Sequence, residues 1–399
     1  MNDLVKVSID QGWDEEEPTK LPIGTLSMAL QKEKNIKFNQ LTKKVEVDSI
    51  PIESSDLDLL YVSIEELGWT IGKTAVRDTY IRNAKRHQYH PIKKYLEFIE
   101  KESSTKEIDI DQLATNYLGT NKDLYNKMLK ATLVGACKRI FEGGCQFDYV
   151  CTLRGEQGIR KSTFWKVLSG GFFNSSMPSG IDKDLLMLIG TCWFFALEEL
   201  DSVTQNFMSG KLKNLITSRE DCYRPPYGSS PDKFPRSSIF VATVNTDNFL
   251  VDASGSRRFW VIDCPQRYSL KGETIDIEKV KADRDGIWKA SMKAFRSGVL
   301  PMLDIDSERE SFIENNRFKD DHPFKYLALK EIQKFPCNIK FTSREILELS
   351  ELREDNKATK EDYRQMGLVL RDLGCKKGIR ENGSRTWYRP TGWSLNNIQ

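Results

Sequence analysis

Histidine is nearly absent from this sequence, with three in 399 residues. That scarcity, and eight cysteines of which no two form a C-x-x-C pair, argue against a zinc site and for reduced thiols. Long apolar runs are missing as well, so no membrane contact is expected. The opening stretch MNDLVKVSIDQGWDEEE is acidic, with no hydrophobic segment behind a basic start, and no secretory signal is expected. A net charge of one sign is also missing. The formal charge is +2 with 30% charged residues, so any contact with nucleic acid must come from local clusters. What these absences leave is a cytoplasmic globular protein without internal repeats.

Charge is distributed unevenly. Residues 1–60 carry seven Lys/Arg against twelve Asp/Glu, whereas 371–389 carry six Lys/Arg against two acids. At this length two or three domains are expected. Residues 1–25 are polar and aperiodic and are expected to be a disordered tail. Residues 26–130 read as a mostly helical N-terminal domain, a collar or assembly element, with a small hairpin over Ile36–Val47 around Thr42-Lys43-Lys44. Residues 131–305 change character. FDYVCTL, CWFFAL and SSIFVATV are short β-branched and aromatic runs separated by helical stretches, the pattern of buried strands in an α/β sheet. A charged linker is expected over 306–322. Residues 323–399 follow in the order helix, helix, basic hairpin, which is that of a winged helix. Ser343 can cap the first of these helices, Gly374 can end the second, and Asn382-Gly383 can turn the hairpin.

The stretch LRGEQGIRKSTFW contains nearly all of a phosphate-binding loop, G-x-x-x-x-G-K-[ST]. Gly155, Glu156, Gln157, Gly158, Ile159, Arg160, Lys161, Ser162 and Thr163 make up the loop, with Arg160 where the second glycine belongs. It lies between an apolar strand and a helical stretch, as phosphate binding requires. Backbone N–H groups would face the anion, Lys161 would reach the β- and γ-phosphates, and the Ser162 hydroxyl would ligate Mg²⁺. A glycine-rich turn beside a surface lysine is the plainer reading.

Three further features follow in the order a ring ATPase needs. CWFFALEELD ends an apolar strand in Glu198 and Glu199, a carboxylate pair able to hold and activate metal-bound water, or else an acidic first helical turn. Asn245 ends the strand SSIFVATV, where it can orient that water or simply make a turn. Arg257 and Arg258 precede another strand. They are candidate fingers for a neighbouring subunit's γ-phosphate, or surface arginines stacked on Phe259 or Trp260.

HPIKKYLEFIE, LVGACKRIFEGGC, the loop itself, CWFFALEELD, LKNLITSREDCYRPPYG, PRSSIFVATVNTDNFLVDASGSRRFWVID and the tail GLVLRDLGCKKGIRENGSRTWYRP resemble the virulence-associated protein E family. That family is found in prophages and mobile islands and is related to superfamily-3 and phage or poxvirus primase-helicases. The resemblance implies an α/β fold with an AAA+-like P-loop ATPase core, the helical N-terminal domain and the C-terminal winged helix. It implies ATP and Mg²⁺ as cofactors and a homo-hexameric helicase replicating mobile-element DNA in a bacterial host cytoplasm. It assigns Lys161 and Ser162 to the Walker A role, Glu199 with Glu198 to Walker B, Asn245 to sensor 1, and Arg257 and Arg258 to the arginine-finger segment. Arg160 departs from the family's usual glycine. With no primase-like domain upstream, priming is expected from a separate primase or initiator.

Superfamily-3 helicases carry a DNA-gripping hairpin between Walker B and sensor 1. Here Lys213, Arg219, Arg224, Tyr227 and Lys233 offer cations and an aromatic suited to single-stranded DNA, or a proline-kinked loop packed on a neighbouring subunit. In the tail, Lys376, Lys377, Arg380 and Arg385 are candidates for duplex DNA, although winged helices also dock proteins. A nucleotide-gated DNA-binding regulator with weak or no hydrolysis is the rival reading, and Arg160 is its main support.

Overall fold

The computed structural model describes residues 19–32, 35–177, 181–198, 200, 209–225, 228, 230–246, 249–250, 256–264, 275–318, 323–336, 339–349, 359–381 and 384–389. The chain divides into two compact units. The larger takes in residues up to Thr246 together with Arg257–Asn315, and the smaller is Asp247–Ser256 with Asn316–Gln399.

The larger unit opens with β1 (Thr19–Lys20), α1 (Ile23–Lys32), β2 (Ile36–Asn39), β3 (Val45–Val47), β4 (Ile50–Pro51), α2 (Ser54–Glu65), β5 (Trp69–Thr70), α3 (Lys73–Arg86) and β6 (Gln88–Tyr89). Residues 1–18 of the expected tail lie outside the described residues. Residues 19–25 depart from that expectation, because Leu21 and Leu26 are buried in a small core that runs from Leu21 to Ala84. The expected hairpin is formed by β2 and β3, antiparallel with Ile36 opposite Val47.

Then come α4 (Pro91–Lys101), α5 (Leu113–Leu118), α6 (Asp123–Phe141), β7 (Val150–Arg154), α7 (Lys161–Ser169), β8 (Phe173–Asn174), α8 (Lys183–Gly190), β9 (Phe194–Leu197), α9 (Ser209–Thr217), β10 (Glu220–Tyr223), β11 (Asp232–Pro235), β12 (Ile239–Val244), β13 (Phe259–Asp263), α10 (Ile277–Arg296) and α11 (Ile305–Asn315). The boundary expected at 130 falls inside α6. Ile92, Leu96 and Ile99 of α4, with Met128 and Leu133 of α6, share one core with Trp165, Phe194, Val241 and Trp288. The physical reason is that α4 and α6 turn their apolar faces to α10, so the helical layer belongs to the central sheet. Likewise the expected linker begins as helix α11, in which Ser307, Ser311 and Asn315 are buried.

That sheet has five strands in the order β13-β7-β12-β9-β8, and every pairing is parallel. Helices cover both faces of such a sheet, which is why its strands are continuous apolar runs rather than alternating ones. Trp193 and Trp288 stack at 4.1 Å and bind across the core, Trp193 Nε1 donating to Ala136 O at 3.2 Å and Trp288 Nε1 to Leu168 O at 2.9 Å. Neither of these buried indoles is left unpaired.

In the smaller unit α12 (Pro323–Ile332), β14 (Lys340–Thr342), α13 (Ser343–Leu349), α14 (Lys360–Asp372), β15 (Lys376–Glu381) and β16 (Ser384–Tyr388) surround a core of Leu327, Ile332, Phe341, Ile346, Leu370 and Trp387. The sheet order is β14-β16-β15, antiparallel. The helices and basic hairpin stand in the expected order, with β14 as an unexpected third strand. Thr342 rather than Ser343 caps α13: its hydroxyl accepts from Glu345 N at 3.2 Å, and the Glu345 carboxylate accepts from Thr342 N at 2.6 Å. Gly374 follows α14 at φ 78°, as expected of a terminating glycine. Asn382 and Gly383 lie outside the described residues.

Candidate functional site

The glycine-rich loop joins β7 to α7 at the C-terminal edge of the central sheet. A Cβ on Gly155 would lie 2.7 Å from Ile159 Cδ1 and 3.0 Å from Cys264 O, so the chain passes there only as glycine. Arg160 stands immediately before α7 at φ 71°, ψ 29°, the left-handed conformation in which glycine is at home. The backbone thus keeps the conformation of the missing glycine while bearing an arginine, at a cost of about 1–3 kcal/mol. Gln157, Gly158, Arg160 and Thr163 are exposed around the loop, and Glu156, Ile159 and Ser162 are half-buried.

Lys161 is buried to 6% exposure. Its Nζ donates to Gly155 O at 2.8 Å, to Glu156 O at 2.7 Å and to Asn245 Oδ1 at 2.8 Å. Burial draws its pKa below the ordinary lysine value, and the Arg154 charge lowers it further against an opposing contribution from Cys264. Arg154 is held by Asp263 at 2.8 Å, so a fixed ion pair borders the loop.

The sheet topology explains why Asn245 meets Lys161. From β7 the chain crosses to the far edge at β8, steps back through β9 to β12, and then passes to β13 on the other side of β7. Connections leaving β7 and β12 therefore run in opposite directions, and a crevice opens between their C-terminal ends, where ligands bind in open parallel sheets. Glu198 follows β9 at the same edge and is half-buried. Glu199 lies outside the described residues.

Arg257 and Arg258 occupy the other edge. Phe259, the residue after them, pairs with Val150 at the start of β7, whereas the loop follows Arg154 at its end. At about 3.3 Å per residue the two edges are roughly 13 Å apart. The arginines border a cavity of about 260 Å³ with Asp148, Tyr149, Glu308 and Phe312. The buried Arg258 Nε has no hydrogen-bond partner. Their own loop is out of their reach.

A family model of the virulence-associated protein E-like domain matches residues 99–320, more than half of the chain. The chain belongs to this family. No curated protein matches it. Among solved structures it is similar to the apo structure of the NrS-1 C-terminal region (305–718), with 14% identity and a TM-score of 0.49, covering 94% of this chain and 99% of that one. It is similar also to the A-form apo structure of that region, with 14% identity and a TM-score of 0.47 over 94% of this chain and 100% of that one. Likenesses this distant say nothing about activity.

The virulence-associated protein E-like match takes in the loop, Glu198, Asn245, both arginines and the β10–β11 hairpin, and it stops short of the basic tail. The hairpin candidates are more committed than their sequence suggested. Arg219 Nη2 donates to Gln146 Oε1 at 2.6 Å, Arg224 Nε to Gly228 O at 2.7 Å, and Lys233 pairs with Glu220 at 2.6 Å. Lys213 is half-buried on α9, and Tyr227 lies outside the described residues. In the tail, Lys376, Lys377, Arg380 and Arg385 are exposed, and Arg380 pairs directly across the strands with Arg385.

Within the same virulence-associated protein E-like segment, sequence reasoning missed Arg236. It is 1% exposed and binds Asp221 through Nε at 2.9 Å, while Nη1 donates to Leu215 O. This buried fork fastens β10 to α9. No spacing rule announces such a pair, and the only signal was an arginine directly before an apolar strand.

Proposed function

We propose that this chain is an ATP- and Mg²⁺-dependent DNA motor of the replicative helicase type, working as a homo-hexameric ring on phage or mobile-island DNA. The observation that carries this reading is the 2.8 Å contact between Lys161 Nζ and Asn245 Oδ1 at the crevice between β7 and β12. A lysine ammonium drawn inward onto two loop carbonyls and one amide oxygen is poised to exchange these neutral acceptors for phosphate oxygens. The AAA+-like assignment of the core rests on this contact, on the strand order and on the family.

The residues fit Mg-ATP. Lys161 and the N–H groups opening α7 suit the β- and γ-phosphates, and the Ser162 hydroxyl suits the metal. Bound Mg²⁺ would neutralise charge developing on the phosphates. Glu198 and Glu199 are assigned to hold the attacking water, and Asn245 to orient it and to steady Lys161. Arg257 and Arg258, remote from their own loop, are assigned to a neighbour's γ-phosphate.

For DNA, exposure and the like-charge pair Arg380–Arg385 favour the tail as a duplex-binding winged helix, since opposed cations are unfavourable until an anion lies across them. The β10–β11 hairpin is assigned to single-stranded DNA. No helix among the described residues is long and apolar enough to cross a membrane, and a separate primase or initiator is the expected partner.

A regulatory protein with poor turnover remains the second reading, supported by the strained Arg160. Steady-state ATP hydrolysis with and without single-stranded DNA, on wild type and Lys161→Ala, separates the two. The motor requires DNA-stimulated turnover that the substitution abolishes. ATP binding without turnover would favour the regulator.

A further inference from the structure

A second cavity, of about 470 Å³, lies between the N-terminal layer and the β10–β11 hairpin. Its residues belong neither to the phosphate loop nor to the arginine edge. The volume falls within the range of small-ligand pockets.

Its walls are cationic and aromatic. Lys43 Nζ stands 5.0 Å from the centroid of Phe234, and Lys85 Nζ 5.7 Å from that of Phe38. All four residues line the cavity, and neither lysine forms an ion pair among the described residues. Arg139 also lines it, 1% exposed, with one hydrogen bond to Phe147 O at 3.1 Å and with Nε and Nη1 unpartnered. Of the two carboxylates in the wall, Asp221 is already taken by Arg236, and Asp232 stands exposed. His90 faces the same space. Burial, then Lys43 and Lys93, lowers its pKa to about 4, so it adds no charge near neutrality. The balance in the cavity is positive.

Lys43 supplies an independent indication. It sits at φ 58°, in the left-handed region, in the turn between β2 and β3. A lysine held in a conformation suited to glycine, half-buried and without a counter-ion, is costly to the fold and points to use of its side chain.

We propose that this cavity binds a phosphorylated nucleoside, its phosphate drawn to Lys43, Lys85 and Arg139 and its base covered by Phe38 or Phe234. A ligand there ties the N-terminal layer to the hairpin. The source is either a free nucleotide or the phosphorylated end of a nucleic-acid strand, and the chemistry of recognition is the same.

The test uses full-length Lys161→Ala protein, so that the phosphate loop does not contribute, titrated calorimetrically with AMP, with adenosine, and with a short 5′-phosphorylated oligonucleotide. AMP should bind saturably at one site and adenosine should not. Lys43→Gly should weaken AMP at least about tenfold, without lowering the thermal midpoint, because glycine suits that turn. Adding Lys85→Ala should abolish binding. Oligonucleotide binding with the same dependence on Lys43, in the absence of AMP binding, assigns the site to a strand end. If neither phosphorylated probe binds saturably, or both bind the Lys43→Gly/Lys85→Ala protein as well as its parent, the site does not exist.

Discussion

The two edges of the central sheet are built to opposite standards. At the C-terminal edge everything converges: Lys161 is buried and bonded three times, Asn245 reaches it from another strand, and Arg154 and Asp263 fix the border. At the opposite edge Arg257 is exposed and the Arg258 Nε has no partner. The first edge is tied together by contacts within one chain. The second borders a cavity that it shares with Asp148 and Glu308. Under the proposed reading, one protomer would hold the phosphate end of one site and the arginine end of a neighbour's, the division of labour a ring requires.

The largest effect should come from breaking the second edge. Arg258→Ala should bind ATP nearly as wild type does and hydrolyse it about 10³–10⁵ times more slowly, the range found for arginine fingers. Single-turnover hydrolysis beside equilibrium binding reads this directly. Full activity in that variant would place the arginine outside the reaction.

A smaller loss is expected from the first edge. Asn245→Ala leaves Lys161 with two backbone carbonyls and no side-chain partner. Turnover should fall about 10²-fold, with nucleotide affinity changed far less. An equal loss in both would mean that Asn245 merely shapes the loop.

The tail should answer to salt rather than to chemistry. Changing Lys376, Lys377 and Arg380 to Glu should weaken duplex binding and flatten the slope of log K against log salt by about 3, while basal hydrolysis stays. Unchanged affinity across a salt series would turn this unit into a protein-docking module.

The smallest expected effect is at Arg160. Arg160→Gly should raise unfolding free energy by about 1 kcal/mol, relief of the left-handed strain outweighing the entropy of glycine. Denaturant melts measure this, and ATP turnover should hold or rise. Complete loss of ATP binding would instead show that Arg160 is a phosphate ligand.

Some of this architecture could be read before any coordinates. β7, β9 and β12 were legible because strands buried on both faces must be apolar at every position. The loop was legible because glycine constraints are local. The contact between Lys161 and Asn245 spans 84 positions and was visible only as an order of features along the chain. The domain boundary was misread because α4 and α6 declare an apolar face without declaring what it meets, and here it is α10. Lys43 was legible as a turn residue of the hairpin but not as a left-handed one, since the turn carries neither glycine nor asparagine at that position. The Arg236–Asp221 fork joins residues 15 apart through a hairpin whose path no periodicity records.

The most direct measurement is ATP hydrolysis by mixtures of Lys161→Ala and Arg258→Ala proteins, with subunit exchange followed in parallel by a fluorescent label. Each protein alone should be nearly inactive, the first for want of nucleotide binding and the second for want of γ-phosphate stabilisation. Mixing should restore activity, because some interfaces then pair an intact loop with an intact arginine. Demonstrated exchange without recovery, or full activity of Arg258→Ala as a monomer, would contradict a site shared between subunits.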